Sequence, residues 1–164
     1  MIVFILIAVF FFIGIFLAIY IPFVLTLRNT LLAIAPHNRR MEPNMTWLAI
    51  VPIVAIVFKF ILVARMSESI ELELKERNIP AESNPTWSIG MSWATCCGIY
   101  YLLYACRMIN KYVIARTDYY PRGLGIADIF SFIFSLVILI LFILYWINVF
   151  RYRQIFRYPS PPYQ

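Results

Sequence analysis

The chain has 164 residues, of which 63% are hydrophobic and 13% charged, and its mean hydropathy is +0.81. A soluble domain carries about a quarter charged residues, so a water-exposed fold could not cover this much apolar surface. The composition excludes an ordinary soluble domain and predicts an integral membrane protein, whose apolar faces lipid surrounds. The length suits one domain, residues 1–164.

The net charge of +6 does not indicate nucleic-acid binding in this chain. Thirteen of the 14 basic residues flank the apolar runs, where lysine and arginine anchor membrane helices and set their orientation. We therefore expect lipids and other membrane protein subunits as partners, and no nucleic acid.

Four apolar runs predict four transmembrane helices joined by short polar loops, so the predicted fold class is all-α. The approximate spans are 2–27, 47–64, 87–106 and 126–150. A helix needs about 20 predominantly apolar residues to cross a bilayer, with a lower limit near 17. Each of the four runs meets that requirement.

The first run is uncharged from Ile2 to Leu27 and ends at Arg28. It lacks the basic start and the short apolar core of a signal peptide, so we expect a permanent helix. Gly14 and Ala18 are four residues apart, a spacing of small residues that lets membrane helices pack closely. The partner of that face, in this chain or in another subunit, stays open.

The polar connection at residues 28–45 contains Asn38, Arg39, Arg40 and Glu42. Arginine binds phosphate through two parallel hydrogen bonds. The stretch therefore predicts a contact with a lipid headgroup or a partner protein. A solvated loop with a local Arg–Glu pair is the alternative.

The second run contains Lys59, the one charged residue well inside an apolar run. Such a residue costs about 2.5–3.5 kcal/mol at a helix centre on insertion scales. Lys59 lies about 9 Å from Arg65 along a helix, so the spacing favours a side chain that snorkels to the interface. The alternatives are an ion or proton path, or an ion pair with a partner subunit.

A helical extension, cytoplasmic or interfacial, is predicted after the second span. Met66, Ile70 and Leu74 recur every four residues and form an apolar stripe. Glu73 and Arg77 form an i,i+4 pair, which typically stabilises a helix on a wetted surface.

The third run carries small residues at four-residue spacing: Gly90, Ala94 and Gly98. They predict another close helix contact. The cysteines of the chain are Cys96, Cys97 and Cys106, and the only histidine is His37. Because no Cys/His pattern has metal-ligand spacing, we predict no metal site.

The fourth run begins near Asp128 and is followed by Arg151, Arg153 and Arg157. An acid in the first turn of a helix is stabilised by the helix dipole, so we expect Asp128 to cap this helix. Pairing with Lys59 is the alternative.

Four spans would place residues 28–45 and 107–125 on one side of the membrane, and 65–86 and 151–164 on the other. The two sides then carry seven and six basic residues, which does not fix the orientation. We expect both termini in the cytoplasm, since that arrangement is common among small proteins with an even number of spans.

Several short motifs form a pattern along the chain: an NR-x-M-x-P stretch, then WL, then IP leading into the second helix, with further motifs later. The residues are Asn38 to Pro43, Trp47-Leu48, Ile50-Val51-Pro52, Ile89-Gly90 and Tyr145-Trp146-Ile147. This pattern resembles an uncharacterised family of small bacterial multi-pass membrane proteins. The resemblance implies a bacterial inner membrane and a four-helix layout, and it implies no activity.

No nucleophile–base pair, phosphate-binding loop or paired carboxylates occur in the spans, so no catalytic residue is predicted. We predict a non-catalytic accessory or structural subunit of a larger membrane complex, of respiratory, photosynthetic or secretion type. No cofactor is predicted beyond a bound lipid. One alternative is a small oligomeric transporter or channel lined by Lys59, Ser92, Thr95 and Asn148. Another is a lipid-acting enzyme with the Asn38–Glu42 stretch against Asp128.

Overall fold

A computed structural model describes residues 2–80, 83–109 and 126–157. These residues form four α-helices and two 3₁₀ helices, with no strand among them. The α-helices are α1 (Ile2–Ala33), α2 (Pro52–Glu76), α3 (Trp87–Ile109) and α4 (Ile126–Arg157), and the 3₁₀ helices are Pro36–Asn38 and Pro43–Ile50. The basic segment 110–125 and the tail 158–164 lie outside the described residues.

Three helices are long and apolar enough to cross a membrane. They contain the stretches Val9–Ala33, Trp87–Ile109 and Asp128–Arg157, with 25, 23 and 30 residues. The described part of the chain is therefore all-helical and compatible with membrane insertion, as predicted. The predicted count of four spans is not confirmed, because α2 is not among these helices.

The predicted span 47–64 is divided at Val51 and Pro52. The backbone is 3₁₀-helical up to Ile50 and extended at Val51 (φ −73°, ψ 112°), and α2 begins with Pro52. Proline suits the first position of a helix, because an N–H group at that position would have no acceptor within the helix. The apolar part of α2, residues 52–64, covers only about 20 Å of a hydrocarbon layer about 30 Å thick.

The first two α-helices run parallel to each other. At one end, the N–H of Ala35, just after α1, donates to the Glu73 carboxylate on α2 at 2.9 Å. Further along, Lys59 of α2 and Phe23 of α1 both pack on the Trp93 ring, with centroid distances of 5.2 and 5.8 Å. The 3₁₀ helix Pro43–Ile50 contacts both α-helices and returns the chain along α1 before α2 begins.

The third helix runs opposite to α2. The backbone at Gly90 lies against Val63, and that at Gly98 lies near Phe60. The end of the bundle where α1, α2 and α4 finish and α3 starts is called the cap end below, and the opposite end is called the far end.

The fourth helix runs parallel to α1 and opposite to α3. Tyr145 stacks on Trp93 with centroids 5.6 Å apart, and Phe134 stacks on Tyr100 at 6.4 Å. Ile2 and Arg157 therefore lie at opposite ends of the bundle. The polar connection and the helical extension, which four spans would separate, lie together at the cap end.

The core is an aromatic cluster where α1, α3 and α4 meet. Phe23 contacts Trp93, Phe142, Tyr145 and Trp146, with ring centroids 4.8–6.3 Å apart. The Trp146 indole N–H donates to the Thr26 hydroxyl at 3.1 Å. This hydrogen bond satisfies the polar atom of a part-buried ring, a common requirement for tryptophan.

Candidate functional site

Glu73 is the centre of a polar cluster at the cap end. Its residue is only 3% exposed, although it lies beyond the apolar part of α2. One carboxylate oxygen accepts from the Ala35 N–H at 2.9 Å and from the Asn38 amide at 3.0 Å, while the other accepts from Arg77 Nε at 2.8 Å. Burial raises the pKa of Glu73, but these hydrogen bonds and the Arg77 charge outweigh burial and hold the pKa below its ordinary value.

The same cluster connects three segments of the chain. The Asn38 amide also donates to the Glu76 carboxylate, which lies 2.9 Å from the His37 imidazole. Arg77 donates to the Phe156 carbonyl oxygen at 3.2 Å and lies 5.2 Å from the Phe156 ring centroid. The cluster therefore joins the end of α1, the end of α2 and the last turn of α4.

Arg39 closes the end of α1. Its guanidinium donates to the carbonyl oxygens of Ile34 at 2.9 Å and Leu32 at 3.2 Å. The last carbonyls of a helix have no intrahelical donor, and a basic side chain there also offsets the helix dipole.

Arg40 and Glu42 are exposed beside this cluster. The Arg40 backbone N–H donates to Ser69 Oγ at 2.8 Å, while its side chain lines a shallow cleft of about 420 Å³ together with Glu42. Of the four residues in the polar connection that were predicted to contact a lipid or partner, Asn38 and Arg39 thus bond within the chain. Arg40 and Glu42 are placed where an outside group can reach them.

Lys59 is buried inside the bundle, with 4% of its residue exposed. Its ammonium lies 5.2 Å from the Trp93 ring centroid and 5.4 Å from that of Tyr101, beside the Cys97 thiol. The expectation that Lys59 snorkels to the interface is therefore wrong. The side chain instead turns toward α3, because α3 offers two aromatic faces within reach of the flexible lysine chain.

The turn between the 3₁₀ helix and α2 is exposed. Ile53 is 85% exposed and Val57 66%. Val51 makes no side-chain hydrogen bond as the N-cap of α2, and Pro52 has no N–H. The N–H groups of Ile53 and Val54 therefore have no acceptor within their own helix. Residues 43–64 are called the hairpin below, and Val51–Val54 is its tip.

The small residues of α3 lie in contacts inside the chain. A Cβ atom added at Gly90 would be 2.6 Å from Val63 and 2.7 Å from Tyr145, whereas one at Gly98 would be at an ordinary 3.8 Å from Phe60. Ala94 is buried. On α1, in contrast, Gly14 and Ala18 are exposed, and a Cβ at Gly14 would meet nothing within 4 Å.

The residues proposed to line a transport path do not converge. Lys59 packs on the Trp93–Cys97–Tyr101 face of α3. Ser92 and Thr95 are exposed on another face, and the Ser92 hydroxyl donates to the Ser88 carbonyl of the same helix at 2.8 Å. Asn148 lies on α4 and is half-buried.

Asp128 lies at the far end of the bundle. Its carboxylate is 3.9 Å from Arg107, which donates to Ser131 Oγ at 2.7 Å. Asp128 therefore approaches Arg107 rather than Lys59. The polar stretch from Asn38 to Glu42 lies at the cap end, so the cluster required by the lipid-enzyme alternative is not assembled.

A cleft of about 720 Å³ opens between α3 and α4 near Arg107. Its other walls come mainly from aromatic and aliphatic side chains, including Tyr100, Tyr104 and Phe130. The three cysteines are free thiols. Among the described residues, no group of three His, Cys, Asp or Glu side chains is arranged to hold a metal ion.

The four-residue spacing of Glu73 and Arg77 predicted their ion pair but not the burial of Glu73. The signal was present, since Glu73 follows Ile70 by three residues and precedes Leu74, so it borders the apolar stripe of α2. Met66, Ile70 and Leu74 are all fully buried or nearly so. A charged residue beside a buried stripe requires partners, and the partners come from the connection after α1.

No protein-family model matches the chain, and no curated protein or solved structure matches it either. The resemblance to a bacterial multi-pass family therefore stays a prediction.

Proposed function

We propose that this chain is a non-catalytic structural subunit of a larger membrane protein assembly, and that it docks through the tip of its hairpin. The observation that carries the proposal is the exposed tip, where Ile53 is 85% exposed and α2 has no N-cap side chain. The backbone N–H groups at the tip need hydrogen-bond acceptors, which lipid acyl chains cannot supply.

The tip lies well inside the hydrocarbon layer if α1 crosses the membrane. Eight residues of 3₁₀ helix, Pro43–Ile50, advance about 16 Å from the cap end at about 2 Å per residue. The return along α2 from Pro52 to Arg65 is of similar length, about 20 Å. Both distances bring the turn to about the middle of a 30 Å layer.

A partner polypeptide can provide hydrogen-bond acceptors for the backbone at the tip, whereas lipid cannot. Acyl chains accept no hydrogen bond, and each unsatisfied backbone group in hydrocarbon costs several kcal/mol. Irregular backbone is found at membrane depth only where protein covers it or water fills a cavity beside it. A helix of another subunit would supply side-chain oxygens as acceptors for the Ile53 and Val54 N–H groups, and apolar contacts for the exposed side chains.

The helix directions, together with the distribution of basic residues, favour one orientation of the chain in the membrane. Of the 14 basic residues, nine belong to the cap end: Arg28, Arg39, Arg40, Arg65, Lys75, Arg77, Arg151, Arg153 and Arg157. Four occur in the sequence between the last turn of α3 and the start of α4: Arg107, Lys111, Arg116 and Arg122. By the positive-inside rule, nine against four favours a cytoplasmic cap end. The start of α1 would then lie on the opposite face, in a bacterial inner membrane if the family resemblance holds.

A matched pair of isoleucine variants tests the docking proposal. Ile53→Trp enlarges the tip, and Ile140→Trp makes the same change on α4, where Ile140 is 56% exposed. After gentle extraction from native membranes, native gel electrophoresis with mass spectrometry reports the partners of each variant. We expect wild type and Ile140→Trp to migrate in a large band of fixed composition. The Ile53→Trp protein should be absent from that band. Migration of wild type as a monomer or small homo-oligomer would contradict the proposal.

A small oligomeric transporter or channel is the second candidate. It is favoured by the one observation that Lys59 points into the bundle within a hairpin, since ionisable groups inside membranes often mark substrate paths. It predicts solute or ion flux in liposomes that Lys59→Met abolishes. The separation of Ser92 and Thr95 from Lys59 makes it the weaker candidate.

A further inference from the structure

Lys59 is a buried cation with no carboxylate partner among the described residues. The acids of the described segments lie elsewhere: Glu68, Glu71, Glu73 and Glu76 follow the apolar part of α2, Glu42 is exposed near Arg40, and Asp128 is beside Arg107. The ammonium lies near the Trp93 and Tyr101 rings and the Cys97 thiol, none of which carries a carboxylate.

The aromatic rings compensate the charge only in part. Attraction between an ammonium and an aromatic face is weaker than the cost of keeping an unpaired cation in hydrocarbon. Lipid phosphates lie at the membrane surface, whereas Lys59 is about 9 Å deeper than Arg65 along α2 and faces α3. A counterion that keeps Lys59 charged would therefore have to come from inside the membrane.

We propose that the subunit docked on the hairpin presents an aspartate or glutamate from a membrane-embedded helix, and that this carboxylate pairs with Lys59. The inference rests on the docking function proposed above. Tyr101, which is 44% exposed, forms the outer wall of the lysine site. The pairing requires rotation of the flexible lysine chain past this ring, from the bundle interior to the surface that α2 and α3 share.

Charge substitutions at Lys59 test the pairing. Lys59→Met removes the charge with little change in size, Lys59→Arg keeps it, and Lys75→Met removes an exposed charge at the cap end. On native gels, we expect Lys59→Met to reduce the co-migrating partner at least about tenfold, the loss typical of truncating one member of a buried charge pair. Lys59→Arg is expected to retain most of the partner and Lys75→Met all of it. Unchanged association of Lys59→Met would overturn the pairing.

Stability of the isolated protein distinguishes lost pairing from misfolding. In detergent, Lys59 is unpaired, so Lys59→Met should keep or raise the thermal unfolding midpoint, because removal of a buried unpaired charge relieves its desolvation. A lower midpoint for Lys59→Met would show that the charge stabilises this chain itself and would overturn the proposal.

Photo-crosslinking identifies the chemistry of the partner. A photoreactive amino acid replaces Val57, which is 66% exposed on the hairpin, and adducts formed in native membranes are mapped by mass spectrometry. We expect an adduct with a membrane-spanning segment that contains Asp or Glu, and loss of Lys59 dependence when that acid is changed to its amide. A spanning segment without an acid overturns the pairing and leaves the docking function intact. Adducts with lipid alone overturn both.

Discussion

The His37 imidazole lies 2.9 Å from the Glu76 carboxylate. His37 belongs to the connection after α1 and Glu76 is the last residue of α2. A fold with a complete span between them would separate the two side chains by about 30 Å of hydrocarbon. Their contact requires that the chain enter and leave the bundle from the same end between them, as the hairpin does.

Glu73→Gln should destabilise the cap end in a pH-dependent way. The amide keeps the shape but loses the charge that Arg77 neutralises, so we expect a loss of about 1–3 kcal/mol in unfolding free energy at neutral pH. Because the pKa of Glu73 is held below its ordinary value of 4.5, its stabilisation is present above that value and is lost as the pH falls through the lowered pKa. Thermal unfolding in detergent, measured from pH 7 to pH 3, checks both statements.

The control for that series is Glu68→Gln. Glu68 forms an exposed pair with Arg65 at 3.3 Å, and exposed pairs contribute little. We expect its unfolding curve to follow wild type at every pH. If the gap between wild type and Glu73→Gln stayed constant down to pH 3, the carboxylate charge would not be the stabilising feature.

Gly90→Ala should destabilise the bundle, whereas Gly14→Ala should not. The new methyl group at Gly90 would lie 2.6 Å from Val63 and 2.7 Å from Tyr145, and overpacking of this kind costs about 1–3 kcal/mol. At Gly14 nothing lies within 4 Å, and alanine is the better helix former. The thermal unfolding midpoints of the two variants, measured in the same detergent, test this prediction. Equal midpoints would mean that α3 does not pack against α2 and α4 through Gly90.

Two adjacent arginines should behave differently. Arg39→Ala removes the donors that bind the Leu32 and Ile34 carbonyls, so we expect a loss of about 1 kcal/mol in unfolding free energy. Arg40→Ala should leave stability unchanged, because only its backbone N–H bonds to the rest of the described chain. Denaturation of both variants checks this. A larger loss for Arg40→Ala than for Arg39→Ala would contradict the assignment of Arg39 as the cap of α1.

The sequence predicted three of the four apolar helices well, whereas the second predicted span is not confirmed. The starts of α1, α3 and α4 agree with the apolar runs at 2, 87 and 126, since uninterrupted hydropathy is a strong signal. In the second run, hydropathy alone did not reveal that Pro52 begins a new helix. With the run divided at Pro52, the remaining 52–64 is too short for a span and typical of a re-entrant segment.

The contacts of the site were harder to predict than the helices. Arg77 was expected to pair with Glu73, and it does so at 2.7 Å. The approach of Asn38 to Glu73 depends on the parallel arrangement of α1 and α2, which local spacing does not encode. The burial of Lys59 against Trp93 depends in the same way on α3, which is far along the chain.

Sidedness of residues 37 and 75 tests the hairpin most directly. In a background without Cys96, Cys97 and Cys106, single cysteines replace His37, Lys75 or Asp128, and a membrane-impermeant maleimide is applied to intact cells and to inverted vesicles. The account predicts that positions 37 and 75 are labelled from the same side, in inverted vesicles, and position 128 from the other. Labelling of positions 37 and 75 from opposite sides would show that residues 47–64 cross the membrane and would contradict the hairpin.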